Sequence, residues 1–129
     1  MQLIEQRVGD AMVLKTSGRI DHATAESFRK ALQPYLDRCK QGDALVLDMS
    51  DIEYISSVGF QVLLAAQRKA KSNQISLAVA ALRPAVKGIF EMANFAKAIR
   101  CFDTVRDALA EIAPKALASY TQGVSPGVP

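Results

Sequence analysis

The sequence predicts an α/β domain: a mixed, mostly parallel sheet entered through an N-terminal hairpin and packed by about four helices. Three observations carry this. Two short strand-like runs flank a Gly-Asp pair at residues 9 and 10. After residue 18, apolar runs of strand length alternate with stretches of helical period, the pattern of parallel strands joined by crossover helices. One of those runs, Ala44-Leu45-Val46-Leu47, is apolar throughout and bounded by Asp43 and Asp48. That marks a central strand buried on both faces.

In chain order, Leu3 to Val8 and Ala11 to Thr16 form the hairpin, with Gly9 at the turn position that needs positive φ. Gly18-Arg19-Ile20-Asp21 leads into a helix on which Phe28, Leu32, Tyr35, Leu36 and Cys39 recur at helical spacing, and Gly42 reads as its left-handed cap. The strand at 44–47 is followed by a loop from Ser50 to Ser56 and a helix from Val58 to Lys71. Ile75, Leu77 and Val79 alternate as the next strand. Pro84 opens a third helix carrying Val86, Ile89, Phe90 and Ala93, where Gly88 costs about 1 kcal/mol relative to Ala unless close packing requires it. Ala98 to Phe102 is a final strand; Asp103 or Thr104 caps a last helix with Val105, Ala108, Leu109 and Ile112 on one face. Pro114 stops that helix. One domain over residues 1–112 and a disordered tail over 113–129 are expected, since Gly, Ser and Pro gather from Ser119 onward.

The chain has 129 residues, enough for one core without staples, and only two cysteines, Cys39 and Cys101. They read as thiols of a reducing compartment. The longest mostly apolar run, Ile75 to Leu82, falls far short of the roughly 18–20 residues that span a bilayer, and the first residues lack signal-peptide character. A cytoplasmic domain is expected, with no membrane insertion. The net charge is +3, but the first sixty residues hold 7 basic and 9 acidic side chains and only Arg68, Lys69 and Lys71 cluster. With aromatics at 6% and no Trp, this is not the basic, aromatic-bearing stripe of a nucleic-acid binder.

Catalytic signals are thin. The seven glycines form neither a Walker loop nor a dinucleotide fingerprint. His22 is the only histidine, which excludes a His-rich metal site, and no Gly-x-Ser-x-Gly elbow is present. Asp48, Asp51 and Glu53 have the chemistry for Mg²⁺ but read as the solvating acids of a loop. No enzyme activity, cofactor or metal is expected.

The informative segment is Tyr54-Ile55-Ser56-Ser57-Val58-Gly59-Phe60, where a buried strand delivers the chain to an apolar helix. Ser56 or Ser57 suits the N-cap, and Gly59 removes a side chain that would shield the helix end. Together with Gly18-Arg19-Ile20-Asp21 and Leu45-Val46-Leu47-Asp48-Met49-Ser50, this segment resembles the STAS domain in motif order and spacing over residues 1–112. That family comprises bacterial anti-sigma factor antagonists and the cytoplasmic domains of sulfate transporters; without a membrane segment, the chain resembles a free-standing antagonist.

The resemblance implies a STAS-like fold and a phosphorylated serine at Ser57, within a family pattern Asp-Ser-Ser/Thr/Ala-Gly whose Gly is Gly59. Here Ser56 stands in place of the Asp, and Val58 in place of the small third residue. Ser56 is therefore a second candidate acceptor. The resemblance also places Asp21 beside the phosphorylated serine, in contact with the kinase partner, while the residues alone read it as a cap for a helix starting near Ala23. Asp21, Ser56, Val58, Gly59 and Phe60 are the expected partner-binding residues. The implied function is that of an antagonist that binds an anti-sigma factor of serine-kinase ATPase fold when unphosphorylated, releases it when Ser57 is phosphorylated, and is reset by a PP2C-like phosphatase. The Ser56 departure also admits a STAS subunit, never phosphorylated, of a larger assembly such as a lipid-transport ATPase complex.

Overall fold

The structure is a computed structural model and describes residues 3–92 and 97–124. Strands β1 (Leu3–Val8) and β2 (Ala11–Ile20) form an antiparallel hairpin, with Gly9 at φ 61° in the turn. The chain continues as α1 (Ala25–Arg38), β3 (Ala44–Ile55), α2 (Ser57–Ser72), β4 (Ser76–Ala80), α3 (Pro84–Met92), β5 (Arg100–Phe102), α4 (Val105–Ile112) and α5 (Pro114–Val124). The sheet order is β1-β2-β3-β4-β5, and every pair after the hairpin is parallel.

Sequential order and a common crossover hand force the three connecting helices onto one face. There Leu45, Leu47, Phe28, Phe60, Leu63 and Phe90 lie in one buried cluster. The opposite face is closed by α4 and α5, with Val46, Ala78, Val105 and Leu109 in the second cluster. β3 serves both, and Ala44 to Leu47 are all 3% exposed or less.

Five segments differ from their sequence reading. β2 runs on to Ile20 and β3 to Ile55, so the expected Ser50–Ser56 loop is strand up to Ile55. The register slips between Lys15 and Ser17 and between Gly18 and Arg19, and each slip places one extra residue in β3. Met49, Ile52 and Ile55, three residues apart, therefore all reach the same core. Gly42 does not cap α1, whose C-cap is Cys39; at φ 92° it holds a turn closed by the Asp43 amide on the Lys40 carbonyl at 2.9 Å. The fifth strand begins at Arg100 rather than Ala98. The tail expected to be disordered from residue 113 instead forms α5, because Ala113 and Ala116 are buried and Leu117 and Tyr120 pack against the same cluster. Ala93 and residues 125–129 lie outside the described residues.

Gly88, expected to answer to close packing, faces open space: a Cβ there would meet nothing within 4 Å. Gly88→Ala is therefore expected to raise stability by about 0.5–1 kcal/mol through helix propensity, read as a higher urea midpoint.

Candidate functional site

Beyond Asp48↔Ala80, its last pair with β4, β3 continues paired with β2 alone as far as Ile20↔Ile55. This two-stranded extension delivers the starts of α1 and α2 to one edge of the sheet. The Ser56 amide prolongs the ladder by donating to the Ile20 carbonyl at 2.8 Å. Ser56 is then the N-cap of α2: its Oγ accepts from the Gly59 amide at 3.2 Å and its carbonyl from the Phe60 amide at 3.0 Å. The residue is 7% exposed, so its hydroxyl is enclosed and engaged. Ser57, one residue on, is the first helical residue and is exposed.

The first turn of α2 has no acidic residue, and Lys69 and Lys71 lie in its last turn. Both ends suit the helix dipole, and the N-terminal end is left free to take negative charge. Gly59 permits the closeness of helix and strands. A Cβ there would lie 2.7 Å from both Ile20 Cγ2 and Ile55 Cγ1 and 3.1 Å from the Ile20 carbonyl oxygen.

Asp21 follows Ile20 and heads a turn ahead of α1. Its carbonyl accepts from the Ala25 amide at 2.8 Å, and its Oδ1 accepts from the amides of Ala23 at 2.9 Å and Thr24 at 3.2 Å. The expected helix start near Ala23 moves to Ala25, with Thr24 as N-cap. The Thr24 hydroxyl makes no cap bond because it donates to the Arg19 carbonyl at 2.7 Å and accepts from the Asp21 amide at 2.9 Å. Partial burial alone would raise the Asp21 carboxyl. The Ala23 and Thr24 amides, the Thr24 hydroxyl and the charge of Arg19 outweigh it and hold the group below its ordinary value. Asp21 is thus a carboxylate at neutral pH, partly exposed, with Oδ2 4.0 Å from Arg19 Nε.

The paired strand ends bring Asp21 and Ser56-Ser57 onto neighbouring positions, with Val58 half-buried beside them. Two expected contact residues are placed differently. Phe60 is 2% exposed and meets Phe90 edge-on at 4.6 Å between centroids, and Gly59 is buried against β2 and β3. Both shape the surface from beneath, because the inward face of α2 must fill the core. One pairing at the site has no sequence signal: Arg19 and Tyr54, each within a quoted motif, pair across the strands, the guanidinium 4.6 Å from the ring centroid. Only the slipped register makes them neighbours, and no sequence pattern announces it.

Asp48, Asp51 and Glu53 lie along β3 rather than on a loop. Asp48 Oδ1 accepts from the Ser50 amide at 3.0 Å and Asp51 pairs with Lys15 at 3.4 Å. Among the described residues, no group of three His, Cys, Asp or Glu is placed to hold a metal ion, and no helix is long and apolar enough to cross a membrane. A hollow of about 520 Å³ lies between α3 and β5 against Pro84, Lys87 and Cys101, and includes neither Asp21 nor Ser57.

The model of the STAS domain family matches residues 3–108. The chain is 30% identical over 97 residues to the anti-sigma-F factor antagonist RsfB of Mycobacterium tuberculosis, covering 75% of this chain and 77% of that protein. It is 24% identical over 101 residues to the anti-sigma F factor antagonist of Paenibacillus polymyxa, covering 78% and 86%. Among solved structures, an anti-sigma factor antagonist from Mycobacterium paratuberculosis superposes with a TM-score of 0.76 at 26% identity, covering 86% of this chain and 92% of that one. The strand order, the helix start held against two strand ends and the extent of these matches agree, and the chain belongs to the STAS domain family.

Proposed function

We propose that this protein is a phosphorylation-switched anti-sigma factor antagonist. Unphosphorylated, it binds an anti-sigma factor of serine-kinase ATPase fold; phosphorylation of Ser57 releases that partner, and a PP2C-like phosphatase resets the switch. The observation that carries this reading is the contrast between two adjacent serines. Ser56 is enclosed and spends its hydroxyl on the Gly59 amide, whereas Ser57 is exposed at the first position of a sixteen-residue helix. A kinase reaches Ser57 without dismantling the cap. The names of the relatives support the antagonist role.

The test is incubation with the candidate kinase of the same genome and ATP, read by intact mass. One phosphate, lost in Ser57→Ala, is the expected result. A complex that persists in the presence of ATP while no phosphate is gained would instead favour a constitutive STAS subunit of a larger assembly, the reading that Ser56 in the family's Asp position supports.

Asp21 gives this surface its fixed negative charge. Asp21→Asn keeps the Oδ1 acceptor for the Ala23 and Thr24 amides but removes the charge facing Arg19. The melting temperature is expected to change little, while partner affinity or phosphorylation rate falls about tenfold. A lowered melting temperature with unchanged affinity and rate would reduce Asp21 to a turn residue.

A further inference from the structure

β1 ends the sheet, and four of its six residues are exposed. The two-residue turn at Gly9-Asp10 closes on the pair Val8↔Ala11, so Val8 bonds toward β2. Bonding direction alternates along an antiparallel strand. Gln6 and Ile4 therefore also bond toward β2, while the amides and carbonyls of Leu3, Glu5 and Arg7 face outward. Among the described residues no other strand or loop takes up those outward groups.

We propose that this edge pairs with the β1 edge of a second copy, antiparallel about a dyad at Gln6, to make one continuous sheet across two chains. An antiparallel pairing must set outward-bonding residues opposite one another, which leaves few registers. A dyad at Glu5 would oppose Glu5 to itself, and one at Arg7 would oppose Arg7 to itself; like charges directly opposite repel. The dyad at Gln6 sets Glu5 opposite the partner's Arg7, twice by symmetry. Glu5 already accepts from the Tyr35 hydroxyl at 3.2 Å and lies 4.0 Å from the Arg38 guanidinium of its own chain, which leaves its second carboxylate oxygen for the partner. Arg7 has no ion pair within its own chain among the described residues. In the same register Ile4, 68% exposed in a single copy, lies opposite the partner's Val8. The surface at Ser57 stays open, because it sits at the far end of β2 from the hairpin turn.

The pairing is chiefly backbone and rim charge, so a weak, concentration-dependent dimer is expected by sedimentation velocity on the full chain. Arg7→Glu is expected to raise the dimer dissociation constant about tenfold, because two attractive pairs become repulsive. Adding Glu5→Arg to that variant should restore it. The register is read independently by Gln6→Cys with Cys39→Ser and Cys101→Ser. A non-hydrogen-bonded pair at the dyad holds its Cα atoms about 4.5 Å apart, within the roughly 4.4–6.8 Å that a disulfide spans. Mild oxidation should link that variant into dimers far faster than Glu5→Cys in the same background. A chain that stays monomeric at all concentrations, a dimer indifferent to Arg7→Glu, or equal cross-linking of the two cysteine variants would overturn the proposal.

Discussion

Phosphorylation of Ser57 is expected to weaken binding of the kinase-fold partner about a hundredfold while leaving the fold intact. The two halves of this expectation have different physical sources. A phosphoserine brings about 1.5–2 negative charges and three acceptor oxygens. At the first position of α2 it meets free amides, the positive end of the dipole and no acidic side chain in the same turn. The phosphorylated chain should therefore melt no lower than the unmodified one. In an interface fitted to a neutral hydroxyl, the same charge is desolvated or set against the Asp21 carboxylate. A loss of about 2.7 kcal/mol corresponds to the hundredfold change. Ser57→Ala should bind normally and take no phosphate, and Ser57→Asp should bind with intermediate affinity because it carries one charge and fewer acceptors. Titration of the partner with each form, beside intact mass, checks the series. A phosphate still acquired by Ser57→Ala but lost in Ser56→Ala would move the acceptor to Ser56, which would require the capping hydroxyl to leave the Gly59 amide.

The fold was legible wherever one physical rule acted alone. The hairpin, the doubly buried run at 44–47 and the apolar stripes of α1, α2 and α4 follow from alternation and helical period, and Ala44 to Leu47 are indeed buried. Legibility ended where two rules overlapped. Two bulges turn the alternation of β3 into a spacing of three, so Met49, Ile52 and Ile55 mimic an irregular loop while remaining strand. α5 has a composition that reads as tail, and only the surface of β1, β2 and α4 supplies the burial that orders it. At the site, the capping role of one of two serines was readable from residue type. Which serine is enclosed depends on the Ile20 carbonyl, a contact between positions 36 residues apart in the chain. Glycine shows the same limit: Gly59 and Gly88 both sit inside helices, yet only the folded neighbours tell the required one from the replaceable one.

Gly59→Ala is expected to lower stability by about 1–2 kcal/mol, the opposite sign from Gly88→Ala. Both changes gain about 1 kcal/mol of helix propensity. At Gly59 the new methyl would lie 2.7 Å from carbons of Ile20 and Ile55, which are 0% and 1% exposed and cannot swing aside. The Ile20 carbonyl at 3.1 Å is backbone held by the Ser56 amide. Forcing a methyl into such a place costs about 1–3 kcal/mol, and the contacts here belong at the upper end of that range. The helix must move outward, and it carries the cap and Ser57 with it. The predicted consequence is therefore double: a lower urea midpoint for unfolding, and slower phosphorylation of Ser57 at temperatures where the variant is still fully folded. Gly88→Ala, phosphorylated at the normal rate and more stable, is the control for the propensity contribution. Should Gly59→Ala prove as stabilising as Gly88→Ala, the close approach of α2 to the ends of β2 and β3 would not be what fixes glycine at this position.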